Sequence, residues 1–167
     1  MHLRLLTAAD AESFWRLRLE ALRNDPASFA DSAEEHQNTT IETVRERLGS
    51  SDTATNFVVG MLQDGQLAAT AGFYRYSHLK ERHKGHVWGV YVRPESRGKG
   101  AAKAMMQEII RRARQIQGLE QVLLVASAHL PARQLYESLG FQSYGLEPRS
   151  LKIGDEYVDD VLMVLSL

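Results

Sequence analysis

No cysteine occurs in the 167 residues, which removes disulfides, thiolate metal sites and cysteine nucleophiles at once. A surplus of one charge is also missing. Twenty Lys and Arg against twenty-one Asp and Glu leave a formal net charge of -1. That balance excludes a general nucleic-acid binder, whose affinity for the phosphate backbone rests on positive charge. One local basic cluster stands out against it: Lys80, Arg82, His83, Lys84 and His86. No apolar run could span a bilayer, and the N-terminus lacks the apolar core of a signal peptide. A cytoplasmic protein without a membrane partner is the expectation. Linkers and repeats are absent too, so a single domain over residues 1–167 is expected, long enough to bury a proper core.

What is present is an alternation of strand and helix patterns. Leu3 to Leu6 reads as a strand, and Thr7 with Asp10 three residues on forms the start of a helix carrying Phe14, Leu17 and Leu22. Asn24-Asp25-Pro26 stops that helix. Residues 26 to 39 are polar around Phe29 and read as a loop, and a short helix runs to Leu48. Gln63-Asp64-Gly65 joins two apolar runs as a hairpin. A charged loop precedes the strand His86 to Arg93, and a helix from Ala101 to about Gln117 follows. Gln121 to Ala126 is nearly all apolar, as in a strand buried on both faces. A helix over 131–139 and two strands joined by Lys152-Ile153-Gly154-Asp155 close the chain.

The densest information lies in residues 90 to 102, Val-Tyr-Val-Arg-Pro-Glu-Ser-Arg-Gly-Lys-Gly-Ala-Ala. Strand, glycine turn and helix in that order leave free backbone N–H groups at a helix N-terminus. With the positive end of the helix dipole they make a site for a phosphate or pyrophosphate. Gly98 and Gly100 permit unusual backbone angles, and Arg97 and Lys99 add positive charge. Competing phosphate loops fit worse. Gly-x-Gly-x-x-Gly would need a glycine where Lys103 stands, and the Walker pattern would need Ser or Thr where Gly100 stands.

Arg97-Gly98-Lys99-Gly100-Ala101-Ala102 fits Arg/Gln-x-x-Gly-x-Gly/Ala. Downstream, His129-Leu130-Pro131-Ala132-Arg133-Gln134-Leu135-Tyr136-Glu137-Ser138-Leu139-Gly140-Phe141 follows Asn-x-x-Ala-x-x-Leu-Tyr-x-x-x-Gly-Phe, with His129 in the place of Asn. In this order and spacing the pair resembles the GCN5-related N-acetyltransferases (GNAT). That resemblance implies an α/β fold, an α+β mixed sheet that is mostly antiparallel, splayed between its fourth and fifth strands and flanked by about four helices. It implies acetyl-CoA as co-substrate, with pantetheine in the gap and pyrophosphate on the loop. The implied cofactor contacts are Tyr91, Val92, Arg97, Gly98, Lys99, Gly100, Ala101, Ala102, His129, Ala132 and Tyr136.

The resemblance also implies the chemistry. Tyr136 stands beside the coenzyme A sulfur as general acid, and a backbone N–H near Tyr91 or Val92 polarises the thioester carbonyl. With no cysteine to carry an acyl group, direct transfer in a ternary complex is favoured over a ping-pong route. An alkyl ammonium has a pKa of about 10.4, so the attacking amine needs a proton acceptor. Glu34, Glu35, His36 and His86 are the candidates, with Glu35 first. Carboxylates near the expected mouth, among them Asp155, Glu156, Asp159 and Asp160, favour a small cationic amine as acceptor. A protein or peptide acceptor and a non-enzymatic acyl-CoA sensor are the alternatives. His78, His83 and His86 fit no strong ligand pattern, so no metal is expected. A homodimer is expected from the family.

Overall fold

A computed structural model describes residues 1–50, 54–128 and 132–167. Twelve elements follow one another: β1 (His2–Leu5), α1 (Ala11–Asn24), α2 (Ala33–Gln37), α3 (Ile41–Gly49), β2 (Asn56–Gln63), β3 (Gln66–Arg75), β4 (Lys84–Val92), α4 (Ala101–Ala113), β5 (Gln121–Ser127), α5 (Ala132–Ser138), β6 (Gln142–Ile153) and β7 (Glu156–Ser166). They form one sheet in the order β1-β2-β3-β4-β5-β7-β6. Every described pairing is antiparallel except β4 with β5.

Sequence alternation decides what each face buries. In β2, Phe57 and Val59 point into the α4 side while Val58 points toward α1 and α3. The larger core lies under α4, where Met105, Met106 and Ile109 are fully buried against Phe73, Val122 and Met163. The methionine pair is packing. The opposite face takes the stripe Phe14, Leu17 and Ala21 of α1 with Val44 and Leu48 of α3.

Two elements differ from the sequence expectation. Residues 26–39 are not a plain loop: a 3₁₀ turn covers Pro26–Ser28, and α2 follows a capping box between Ser32 and Glu35. That makes five α-helices among the described residues. β5 is not covered along the whole of both faces, because Val125 is 44% exposed and faces an opening in the sheet.

The opening comes from β4. Its parallel pairing with β5 covers only Lys84, Gly85 and His86, opposite Gln121, Val122 and Leu123. Beyond that, Gly89 and Val90 together face Ala71, an extra residue that bends β4 away from its neighbour. Gly89 has a φ of 62°, which a side chain adopts only with strain. The expected splay is therefore present, and it begins at His86.

Candidate active site

One end of the split is the loop before α4. Gly98 and Gly100 have φ of 73° and 81°, and no atom lies within 4 Å of where a Cβ would stand at either. Backbone conformation, not crowding, requires glycine there. The first helical bond runs from the Ala104 N–H to the Gly100 carbonyl at 3.0 Å. The N–H groups of Ala101, Ala102 and Lys103 precede it and point out of the helix end. A hollow of about 250 Å³ lies here, walled by Val92, Arg97, Gly98, Gly100, Ala101 and Ala102.

Arg97 braces this loop. Its Nε donates to the Val92 carbonyl at 2.9 Å and its Nη2 to Asp25 at 2.6 Å. Lys99 Nζ donates to the Glu95 carbonyl at 2.9 Å. The Arg93 N–H bonds the Ala68 carbonyl at 3.0 Å, and antiparallel alternation then turns the Tyr91 N–H toward β3. The Val92 N–H and carbonyl face the open side. The Tyr91 ring lies on the α1 side, its hydroxyl donating to Glu20 and accepting from Asn24, both at 3.1 Å.

Farther along the split, a narrow cavity of about 70 Å³ is lined by Val90, Ala126, Ala132 and Tyr136 among others. Tyr136 is 6% exposed and packs edge-on against Phe141. Burial pushes its hydroxyl up to about 12, so it is a hydrogen donor throughout the neutral range. Its carbonyl accepts from the Leu139 and Phe141 N–H groups, both at 3.1 Å, around Gly140 at φ 95°. His129 lies outside the described residues.

On the α1 side the split widens into a cavity of about 450 Å³ that shares Phe29, Trp88, Gly89 and Val125 with the narrow one. Its charged walls are Arg18, Asp31, Glu147 and Asp160, with His86 at its base. His86 is held below the usual histidine range by burial, and its Nδ1 is buried without a hydrogen-bond partner. Its ring stacks on Tyr74 at 5.5 Å. β6 reaches the cavity through a bulge: Glu147 opposes Asp160 and Leu151 opposes Val158, leaving residues 148–150 against Asp159 alone. Asp159 accepts the Arg149 N–H at 2.7 Å, and Asp160 accepts the Ser150 hydroxyl at 2.5 Å.

The acidic candidates from the sequence are not brought together here. Glu35 is exposed, and its carboxylate accepts the Ser32 N–H at 2.8 Å as half of the α2 cap. Glu34 is exposed as well. His36 turns inward to bond the Trp15 carbonyl through Nε2 at 2.9 Å. The sequence alone does not mark Arg18, Asp31, Glu147 or Ser150 as site residues. A charged residue beside the apolar stripe of α1 was the available signal for Arg18. Among the described residues, no group of three or more His, Asp and Glu could hold a metal. No helix among the described residues is long and apolar enough to cross a membrane.

A mixed sheet split between two parallel strands, with a phosphate-type loop at one end of the split, defines a protein that holds a long phosphate-bearing co-substrate across its sheet. The sequence profile of the Acetyltransferase (GNAT) family matches residues 14–141, and the chain belongs to that family. It is an acyltransferase that uses acetyl-CoA. The fold is similar to a GNAT-family acetyltransferase of Streptococcus pneumoniae, with 17% identity, TM-score 0.90 and 99% of each chain covered. It is also similar to yncA of Salmonella typhimurium, solved with its cofactor acetyl-CoA, at 20% identity and TM-score 0.86, covering 100% of this chain and 94% of that one. A phosphinothricin acetyltransferase of Sinorhizobium meliloti, solved with the same co-substrate, shares 23% identity at TM-score 0.83, covering 99% and 88%. No curated protein sequence matches the chain significantly.

Proposed function

We propose that the protein moves an acetyl group from acetyl-CoA directly to a primary amine of a small cationic acceptor, with both substrates bound together. The observation that carries this reading is the split itself. It opens at His86, reaches Tyr136 in the middle and points toward the glycine loop at the end of β4. In this reading the N–H groups of residues 98–102 hold the pyrophosphate, Val92 offers main-chain bonds to the pantetheine arm, and Ala132 leaves room beside it. Arg97 shapes the loop and adds its charge at the rim.

The amine nitrogen attacks the thioester carbon, the carbon–sulfur bond breaks, and the amine proton must leave. His86 replaces Glu35 as proton acceptor in this proposal, because it lines the cavity and burial keeps it neutral. Tyr136 donates a hydrogen bond to the departing sulfur. Burial that raises the phenol acts on a thiolate in the same place, so it does not set the two acidities further apart. The carboxylates of Asp31, Glu147 and Asp160 outnumber Arg18 and support a cationic acceptor.

Thermal unfolding with and without acetyl-CoA tests the reading, with NAD and ATP as controls. A ligand that binds only the folded chain raises the melting temperature by mass action. A rise specific to acetyl-CoA is expected. No rise at about 100 times a micromolar-range Kd, where mass action predicts a clear shift, would remove the donor assignment.

A further inference from the structure

Arg18 lies on α1 beside the buried stripe of Phe14, Leu17 and Ala21, and its side chain is only 12% exposed. The guanidinium lies 4.5 Å over the Phe29 ring, which fixes its plane. Nη2 donates to Asp31 at 2.9 Å. Nη1 is buried and has no hydrogen-bond partner. Arginine keeps its proton, so burial leaves this N–H a charged donor without an acceptor. A buried cationic donor left in that state costs free energy, and it persists where another group completes it.

The position of Nη1 says where that group sits. A Cβ placed on Gly89 would lie 3.5 Å from it, so Nη1 rests against the β4 bulge. Gly89 is a shared wall of the broad cavity and of the narrow one that holds Tyr136. An anion on Nη1 therefore sits at the threshold of the acyl-transfer point. The other charged walls, Glu147 and Asp160, are carboxylates and repel an anion. Guanidinium geometry favours a planar carboxylate, and Asp31 already fills the other end of the fork.

We propose that the acceptor is a free α-amino acid. Its carboxylate completes Arg18, its α-amine faces the thioester, and its side chain extends toward Glu147 and Asp160, which favours a basic one. Because Gly89 walls both cavities, the carboxylate and the attacking nitrogen are placed close together, as they are in an α-amino acid. This rests on the acetyl-CoA reading above.

The test compares acceptors that differ only in the carboxylate: L-arginine with agmatine, and L-phenylalanine with phenethylamine. With kcat/KM expressed per neutral amine, since the carboxylate itself lowers the amine pKa, the amino acid is expected to exceed its decarboxylated partner by about tenfold or more, the scale of one charge-assisted bond. In Arg18→Met that preference should collapse toward parity. A decarboxylated amine that matches or beats its amino acid overturns the proposal, and so does a preference that survives Arg18→Met. If that variant does not fold, the wild-type comparison decides alone. Acetyl-CoA raising the melting temperature while no amino acid is acetylated overturns the acceptor assignment and leaves the donor reading standing. Absence of that rise brings down both.

Discussion

The loop before α4 and the cavity under α1 meet the same strand, β4, and are built by different means. The loop uses consecutive residues, Arg97 to Ala102, and works through main-chain N–H groups whose directions follow from two glycine angles. The cavity gathers side chains from α1, the 3₁₀ turn after it, β4, β5, β6 and β7, and no two of its charged walls are neighbours in sequence. A main-chain site depends on local conformation and tolerates exchange of exposed side chains around it. A side-chain site depends on bulges and bends that aim each group, here Gly89–Val90 in β4 and residues 148–150 in β6. In the proposed reading, donor binding is thereby insulated from changes that redirect the acceptor.

The largest effect should come where the two halves touch. Tyr136→Phe removes one hydroxyl from the narrow cavity without changing its shape. Turnover is expected to fall about 10³-fold, within the range for a positioned acid, with the acetyl-CoA melting shift kept. An equal loss of that shift would mean that the hydroxyl serves binding, and the division between the halves would fail. His86→Gln comes next, at the lower end of the same range, about 10²-fold, because water can pass part of the proton traffic.

His86 also gives the comparison a pH signature. Its folded pKa lies below the ordinary 6.5, so its contribution to stability is fully present above that value. As pH falls below 6.5 the unfolded chain takes up the proton first, and stability is lost. His36 is lowered for the same main reason, burial, and adds in the same direction. Wild-type turnover should hold at neutral pH and decline on an acid limb below 6.5, and His86→Gln should lose that limb. Urea melts at neutral and acid pH read the stability part.

Gly100→Ala probes the other half. The φ of 81° strains any side chain by about 1–2 kcal/mol, although the space around it is open. The KM for acetyl-CoA should rise by about tenfold while kcat changes little, since in the proposed reading the loop holds a part of the substrate that does not react. A fall in kcat at fixed KM would tie the loop to the chemistry.

Legibility in the sequence follows the same division. Gly98 and Gly100 are contiguous with the helix they precede, and Tyr136 belongs to a run with its own helical stripe, so both could be placed before any coordinates. The split between the fourth and fifth strands followed from the family resemblance, and a pairing of only three residues bears it out. Arg18 and Asp160 are separated by most of the chain, and only the folded sheet brings them to one cavity. Asp160 carried a partial signal: in a strand where Val161 and Met163 face the core, Asp159 and Asp160 must take opposite sides. The apolar run of β5 misled, because it suggested cover on both faces where one lines the opening.

The smallest expected effect separates a cap from a base. Ser32-Ala33-Glu34-Glu35 has the Ser-x-x-Glu form of a capping box, and the structure closes it with both reciprocal bonds. Glu35→Ala removes one of them and should cost about 1 kcal/mol of stability, in the range for a lost cap. Glu35→Gln is the sharper probe. Glutamine serves the same capping position but cannot accept the proton of an amine at neutral pH. With His86 as acceptor, Glu35→Gln should keep both the melting temperature and kcat, measured by thiol release. A kcat drop of about 10²-fold in that variant, at unchanged stability, would return the proton to the α2 side of the cleft and leave His86 a packing role.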